Sequence, residues 1–173
     1  METTEKIVEA YVRYVKGWLT IPNIKCPGQY EIDLLAIDPR SLDRYHIESG
    51  VSISGSYSKL TVKDYSDEYL KMRVKAAGQR RTIGYFINRK FGAKPVIDTL
   101  EGYGFLPEQY SKIIVSWGWE EEAEKEAEKH AIQLWDFRNI LKEIAKSSER
   151  KRIYFTDDTL RTLQLFARAM DHH

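Results

Sequence analysis

The spacing of apolar side chains changes period several times along this chain, and each change marks an element. Ile7, Val8, Tyr11, Val12, Val15, Trp18 and Leu19 recur at helical spacing, with Lys6, Glu9, Arg13 and Lys16 on the opposite side and Thr4 placed to cap. This predicts an amphipathic helix over residues 4–19. After the breaker-rich IPNIKCPGQ, Tyr30 to Asp38 is short, apolar and rich in Ile and Leu, the pattern of a buried strand, although Asp33 lies inside it. Turn residues follow in DPRSLD. Tyr45 to Ser54 then alternates, with Ile47, Val51 and Ile53 on one face and His46, Glu48, Gly50, Ser52 and Ser54 on the other. The two segments predict an antiparallel hairpin.

Beyond Gly55 the period becomes helical again. Residues 67–77 and 81–91 read as two helices broken at Gly78, and a looser region holds Pro95, Gly102, Gly104 and Pro107. Tyr110 to Trp117 reads as a second buried strand. An acidic helix, a short strand over 132–136 and a helix over 137–146 follow, the alternation that builds a βαβ unit. The last stretch, 152–173, reads as an extended piece and a final helix from about Asp158. The expected fold class is therefore α/β: a central mixed sheet, antiparallel hairpin plus parallel βαβ, flanked by helices. A chain of 173 residues suits one domain, with a core over 4–146 and a helical extension over 147–173.

Composition narrows the function classes. The chain carries 27 basic and 26 acidic side chains, so its net charge of +1 excludes a uniformly nucleic-acid-coating or acidic protein, and any charge argument must be local. One cysteine, Cys26, offers no internal disulfide and no zinc knuckle, which fits a reducing cytoplasm. No apolar run reaches the roughly 18 residues that span a bilayer. The opening METTEKIVEA is too charged for a secretory signal, so a cytoplasmic location without membrane attachment is expected.

Two signals carry chemistry. A four-residue hairpin loop, Pro39 to Leu42, puts Asp33 opposite Glu48 with Cβ atoms about 5 Å apart. Two carboxylates that close on a largely buried sheet persist if one is protonated, if both are solvated, or if a cation lies between them; a divalent metal bound by oxygen ligands is the economical solution. The alternative is a wet sheet face at Glu48 with a shifted register for Asp33. The second signal is a run of eight basic residues without an acidic one: Lys71, Arg73, Lys75, Arg80, Arg81, Arg89, Lys90 and Lys94, with Tyr85, Phe86 and Phe91 between them. It reads either as a grip on a phosphate backbone or as a solvated helix face. His46 shares a face with Glu48, as a metal-cluster member or as a hydrogen-bonded sheet histidine. By contrast, 120–129 holds six Glu and two Lys, the water-facing side of a helix.

The order of these elements, a helix with Glu5 and Glu9, Asp33 in a strand, then Glu48 in the next strand, resembles the PD-(D/E)XK or restriction-endonuclease-like nucleases. The nearest branches are the Mrr-like and archaeal Holliday-junction-resolvase-like ones. The resemblance covers residues 4–146 and includes the segment IIVSWGWEEEAEKEAEKHAIQLWDFRNILKEI. It implies a restriction-endonuclease-like core and an endonuclease that hydrolyses DNA phosphodiester bonds with Mg²⁺ or Mn²⁺. Asp33 and Glu48 would be the metal ligands, with Glu9 or Glu5 assisting in catalysis. Lys59, Lys71, Arg73, Lys75, Arg80, Arg81, Arg89 and Lys90 would contact nucleic acid.

The sequence departs from that family at one position. The family's lysine, two residues after the second acid, is here Gly50. Either a basic residue from elsewhere reaches that space, as in members whose lysine has moved to a helix, or the protein binds nucleic acid or a protein partner without cutting. Lys59, Lys63, Arg73, Lys75 and Gln79 are the candidates that follow the hairpin. A third class is an assembly module whose exposed aromatic residues build a homodimer.

Overall fold

The computed structural model describes residues 2–51, 59–72, 78–151 and 158–170. The protein is α/β, with a five-stranded mixed sheet between two helical layers. Helix α1 (Thr3–Ala10) runs into a π-helical turn, Tyr11–Lys16, and stops at Gly17, whose φ of 75° places it in the left-handed region that ends helices. Strands β1 (Leu19–Cys26), β2 (Tyr30–Ile37) and β3 (Arg44–Ser49) form an antiparallel meander. One turn, α2 (Asp67–Leu70), follows. Then α3 (Ile83–Tyr85) continues into a second π-helical segment, Phe86–Phe91. Helix α4 (Lys94–Gly102), β4 (Tyr110–Ser116), α5 (Glu121–Lys129), β5 (Ile132–Asp136), α6 (Phe137–Lys151) and α7 (Asp158–Met170) complete the chain. The sheet order is β1-β2-β3-β4-β5, and β3, β4 and β5 run parallel.

One face of the sheet packs Leu34, Ala36, Ile47, Ile113 and Val115 against α1, its π turn, α6 and α7. The other face is covered in two patches. Leu60, Ile83, Phe86 and Phe91 meet Ile114, Ile132 and the alanine stripe of α5, Ala123 and Ala127; Val96, Leu100 and Phe105 cover Ile24, Ile32 and Leu35. The small alanine side chains let α5 lie close to the sheet while its glutamates face water.

Five expectations change, one of them the helix over 67–77, which among the described residues is only the turn Asp67–Leu70. The first helix ends at Lys16 rather than residue 19, because Trp18 leaves it to stack on Tyr45, with ring centroids 4.0 Å apart and planes 8° apart. The supposed breaker segment is β1: Pro22 is compatible with a strand at the sheet edge, where one side of the backbone needs no partner. The loose region holds α4, which Pro95 starts from its first turn, a position where a missing N–H costs nothing. The strand expected over 45–54 ends at Ser49; its part from 52 onward, the helix positions 73–77 and the extended piece 152–157 lie outside the described residues. Among the described residues no helix is long and apolar enough to cross a membrane.

Candidate active site

The hairpin sets the site. Its register pairs Leu34 with Ile47 and Leu35 with His46, so the next positions along the two strands are Asp33 and Glu48, as the loop length predicts. Both carboxylates lie on the face covered by residues 83–102. Glu48 is fully buried and Asp33 nearly so. The backbone N–H of Ser49 donates to Asp33 Oδ2 at 2.8 Å, and that of Asp33 reaches Glu48 Oε1 at 3.4 Å.

A cation lies between the two acids, and it is Lys90. Its Nζ is 2.9 Å from Asp33 Oδ1, 2.5 Å from Glu48 Oε2 and 3.0 Å from the carbonyl oxygen of Glu31. Sequence reasoning counted Lys90 among the phosphate contacts and did not set it against the acids. The cause lies in the π-helical segment, whose wider turn closes at i→i+5 and brings Phe86, Lys90 and Phe91 to one side. Phe86 fills the space beside Gly50: a β-carbon on Gly50 would stand 2.6 Å from Phe86 Cζ. Lys90 emerges one turn further along. Phe91 meets the ring of His46 edge-on, with centroids 4.8 Å apart.

Burial dominates the titration behaviour of the group. It raises the Asp33 carboxyl to about 7, helped by the charge of Glu48 and opposed by Lys90 and the Ser49 N–H. It raises Glu48 as well, again against Lys90. Burial alone would lower the Lys90 ammonium, but Glu48 and Asp33 overcome it and hold the group above the usual lysine range. Lys90 is thus the charged partner that makes two buried acids tolerable. His46, also fully buried, has its imidazole pushed down to about 3 by burial and then by Lys90, so it is neutral at physiological pH. It meets Glu48 through Nε2, 2.6 Å from Oε1.

Asp33 and Lys90 open onto a cleft of about 790 Å³ whose walls also include Glu5, Tyr30, Lys71, Arg80, Arg81, Tyr85 and Arg89, with Glu48 fully buried behind them. Five of the eight basic residues expected to contact nucleic acid therefore stand around it. Arg81 reaches across to the carbonyl oxygens of Gly50 and Val51, and the Arg89 guanidinium lies 4.3 Å over the Tyr30 ring. Arg73 and Lys75 lie outside the described residues. Lys59 stands elsewhere, with Trp117, Gly118, Trp119, Asp136 and Arg138 around a second hollow of about 520 Å³. Lys63 is exposed, and Gln79 holds the backbone at Asp64 and Ser66, so neither fills the space beside Gly50.

The two helix glutamates part company. Glu5 lines the cleft, and its carboxyl is raised by partial burial and by the nearby charge of Asp33. Glu9 points to Arg13, 2.7 Å away, and to Thr20 of β1, and it does not line the cleft. Of the pair, only Glu5 is brought to the acids.

Asp33 Oδ1, Glu48 Oε2 and the Glu31 carbonyl converge on a single cationic point. Three hard oxygens form a partial donor set of the kind that suits Mg²⁺ or Mn²⁺, with water completing the shell. Among the described residues no group of three or more His, Cys, Asp or Glu side chains is placed to hold a metal ion. The residues fit such an ion on condition that Lys90 yields its place.

The fold and site together define an α/β protein with a buried carboxylate pair, a lysine between them and a partly basic cleft. No family model and no curated protein matches the chain. A solved structure described as a protein of unknown function, AF1548, is similar to it over 98% of both chains at 15% identity, with a TM-score of 0.45.

Proposed function

We propose that the protein is a divalent-metal-dependent nuclease of the PD-(D/E)XK kind, acting on DNA phosphodiester bonds, in which Lys90 takes the part of the lysine that Gly50 cannot supply. The observation that carries this reading is the Lys90 ammonium, bonded at once to Asp33 and Glu48. Two acids from neighbouring strands and a cation beside them are the three components that such hydrolysis needs, and here the third arrives from a helix rather than from β3.

Asp33 Oδ1, Glu48 Oε2 and the Glu31 carbonyl would hold the metal. A hard dication there supplies charge neutralisation for a phosphodiester and a lowered pKa for water. Lys90, once moved off those three oxygens, would supply positive charge beside the same carboxylates, where a developing phosphoryl charge needs it; removal of one such donor typically costs about 10²–10³ in rate. Arg80 and Lys71, exposed on the cleft wall, supply attraction for the polyanion. Glu5 supplies a carboxyl whose raised pKa lets it carry a proton nearer to neutral pH than an ordinary glutamate.

The same contact also favours a second reading. A lysine that pairs permanently with both acids would leave a nuclease-like fold that binds nucleic acid or a protein partner without cutting. The deciding experiment incubates plasmid and branched DNA with Mg²⁺ or Mn²⁺. Metal-dependent cutting that disappears in Asp33→Asn and falls at least 100-fold in Lys90→Met supports hydrolysis. Salt-sensitive binding without cutting supports the silent reading.

A further inference from the structure

We infer that His46 is the positioning residue of this site: its imidazole holds one oxygen of Glu48 so that the other is presented to the cation position. The inference rests on the metal-dependent reading above and deepens it.

The geometry is specific. His46 and Glu48 are two residues apart on β3 and so share a face of the sheet, and both are fully buried. His46 Nε2 lies 2.6 Å from Glu48 Oε1. Nε2 is the ring nitrogen within hydrogen-bond distance of the carboxylate, and a carboxylate that ligates a cation can only accept, so in the ligating state Nε2 is the nitrogen that donates. Among the described residues Nδ1 is buried and has no hydrogen-bond partner. No competing acceptor therefore pulls the proton to the other nitrogen, and Glu48 alone fixes the tautomer. Because Nε2 is spent on Glu48 and Nδ1 is sealed from the cleft, the imidazole is a holder of the carboxylate and not a metal ligand.

The ring itself is held. Phe91 meets it at 82° with centroids 4.8 Å apart, and Tyr110 flanks it at 6.2 Å. Phe91 is the neighbour of Lys90, so one helical turn positions both the ammonium and the imidazole. Glu48 Oε1 is thus occupied by His46 Nε2 and approached by the Asp33 N–H, while Oε2 is left to the cation side. A second charged partner at Oε1 would neutralise the acid and weaken its hold on a dication. A neutral N–H orients the carboxylate and leaves its charge in place, which is the work outer partners of ligating carboxylates do.

The test uses the full chain, Mn²⁺ as probe and two readouts. Mn²⁺ affinity is measured by electron paramagnetic resonance for the natural protein and for Asp33→Asn, His46→Gln and His46→Phe. Glutamine carries its amide nitrogen the same number of bonds from the backbone as imidazole Nε2, whereas phenylalanine keeps a ring without a donor. The expectation is a loss of about 10-fold or more in Mn²⁺ affinity for His46→Phe and a change within about threefold for His46→Gln. Histidine ring ¹⁵N spectra of the metal-free protein are expected to show the neutral Nε2-protonated tautomer at His46. If His46→Phe does not fold, His46→Asn, whose amide falls one bond short, is expected to show the same loss. Natural affinity in the donor-free variant, alongside Asp33-dependent binding in the natural protein, overturns the role of His46 alone. An Nδ1-protonated ring overturns it too. Absence of Asp33-dependent Mn²⁺ binding in the natural protein overturns the metal reading and this inference with it.

Discussion

Phe86 and Gly50 exclude each other's side chains: the phenyl Cζ stands 2.6 Å from the point where a β-carbon on residue 50 would sit. The glycine is therefore the consequence of a packed aromatic ring, which takes the place where a lysine side chain would leave the strand. Gly50→Ala is expected to destabilise the protein by about 1–3 kcal/mol, the usual range for forced overpacking. In Gly50→Ala/Phe86→Leu much of that loss should return, and urea denaturation of the four members of the cycle measures it. Full additivity of the two substitutions would refute the steric account.

Lys90→Met removes the only cation that contacts both Asp33 and Glu48 among the described residues. Loss of one partner from a buried ion cluster typically costs about 3–5 kcal/mol, so the metal-free variant should melt well below the natural protein. A dication then meets no competing ammonium. Added Mn²⁺ should raise the Tm of Lys90→Met more than that of the natural protein, while DNA cleavage stays lost. Equal Mn²⁺ shifts in the two proteins would show that Lys90 does not compete for the metal position.

Glu5 and Glu9 make a clean contrast. Glu9→Gln removes an Arg13 contact of the surface type that contributes about 0.3–0.5 kcal/mol, and it should leave cleavage unchanged. Glu5→Gln alters the cleft wall beside Asp33 and should lower the cleavage rate and change its pH profile. The reverse pattern in a plasmid-cutting assay would exclude Glu5 from the chemistry.

Arg80 and Arg81 are neighbours with different tasks. Arg80 is exposed on the cleft wall, whereas Arg81 is half-buried and bonds the carbonyl oxygens of Gly50 and Val51. Arg80→Glu should weaken DNA binding and flatten its salt dependence at unchanged Tm; Arg81→Glu should do both and also lower Tm. Fluorescence anisotropy across a salt series, paired with thermal melts, separates them.

The pH dependence of stability follows from two opposite shifts. The Asp33 carboxyl is raised from 3.8 to about 7, so the folded state holds that proton more tightly; its contribution is full below about pH 4 and is lost as pH rises to about 7. His46 is lowered from 6.5 to about 3, so its contribution is full above about pH 6.5 and is lost as pH falls towards 3. The two oppose one another between about pH 4 and 6.5. Asp33→Asn removes the first, so acidification from pH 6.5 to 4 should destabilise that variant more steeply than the natural protein. Glu48, raised in the same direction as Asp33, remains and limits the difference.

Much of the sheet and its acid pair were legible because they depend on local rules. Period-2 alternation and the length of one loop were enough to oppose Asp33 and Glu48, and runs of Ile, Leu and Val marked β2 and β4. Strand β1 was hidden because Pro22 and Asn23 read as breakers, and only its place at the sheet edge makes them tolerable. The partner of the acids was hidden for a different reason. The contact from Lys90 to Asp33 spans 57 positions and depends on how a helix docks, a fact that no local period carries. The gap at Gly50 was visible in the sequence, but whether it held a cation or a ring depended on the side of the π turn that Phe86 occupies.

The distance along the chain between the acids and their ammonium has a consequence for how the molecule matures. The β2–β3 hairpin can zip from its own loop early, whereas the segment that carries Lys90 must travel back across a long stretch of chain to dock, the slower kind of event. Until that closure, two like charges confront each other without their counter-ion, so the charge centre is completed only by a long-range step and cannot assemble on the hairpin alone.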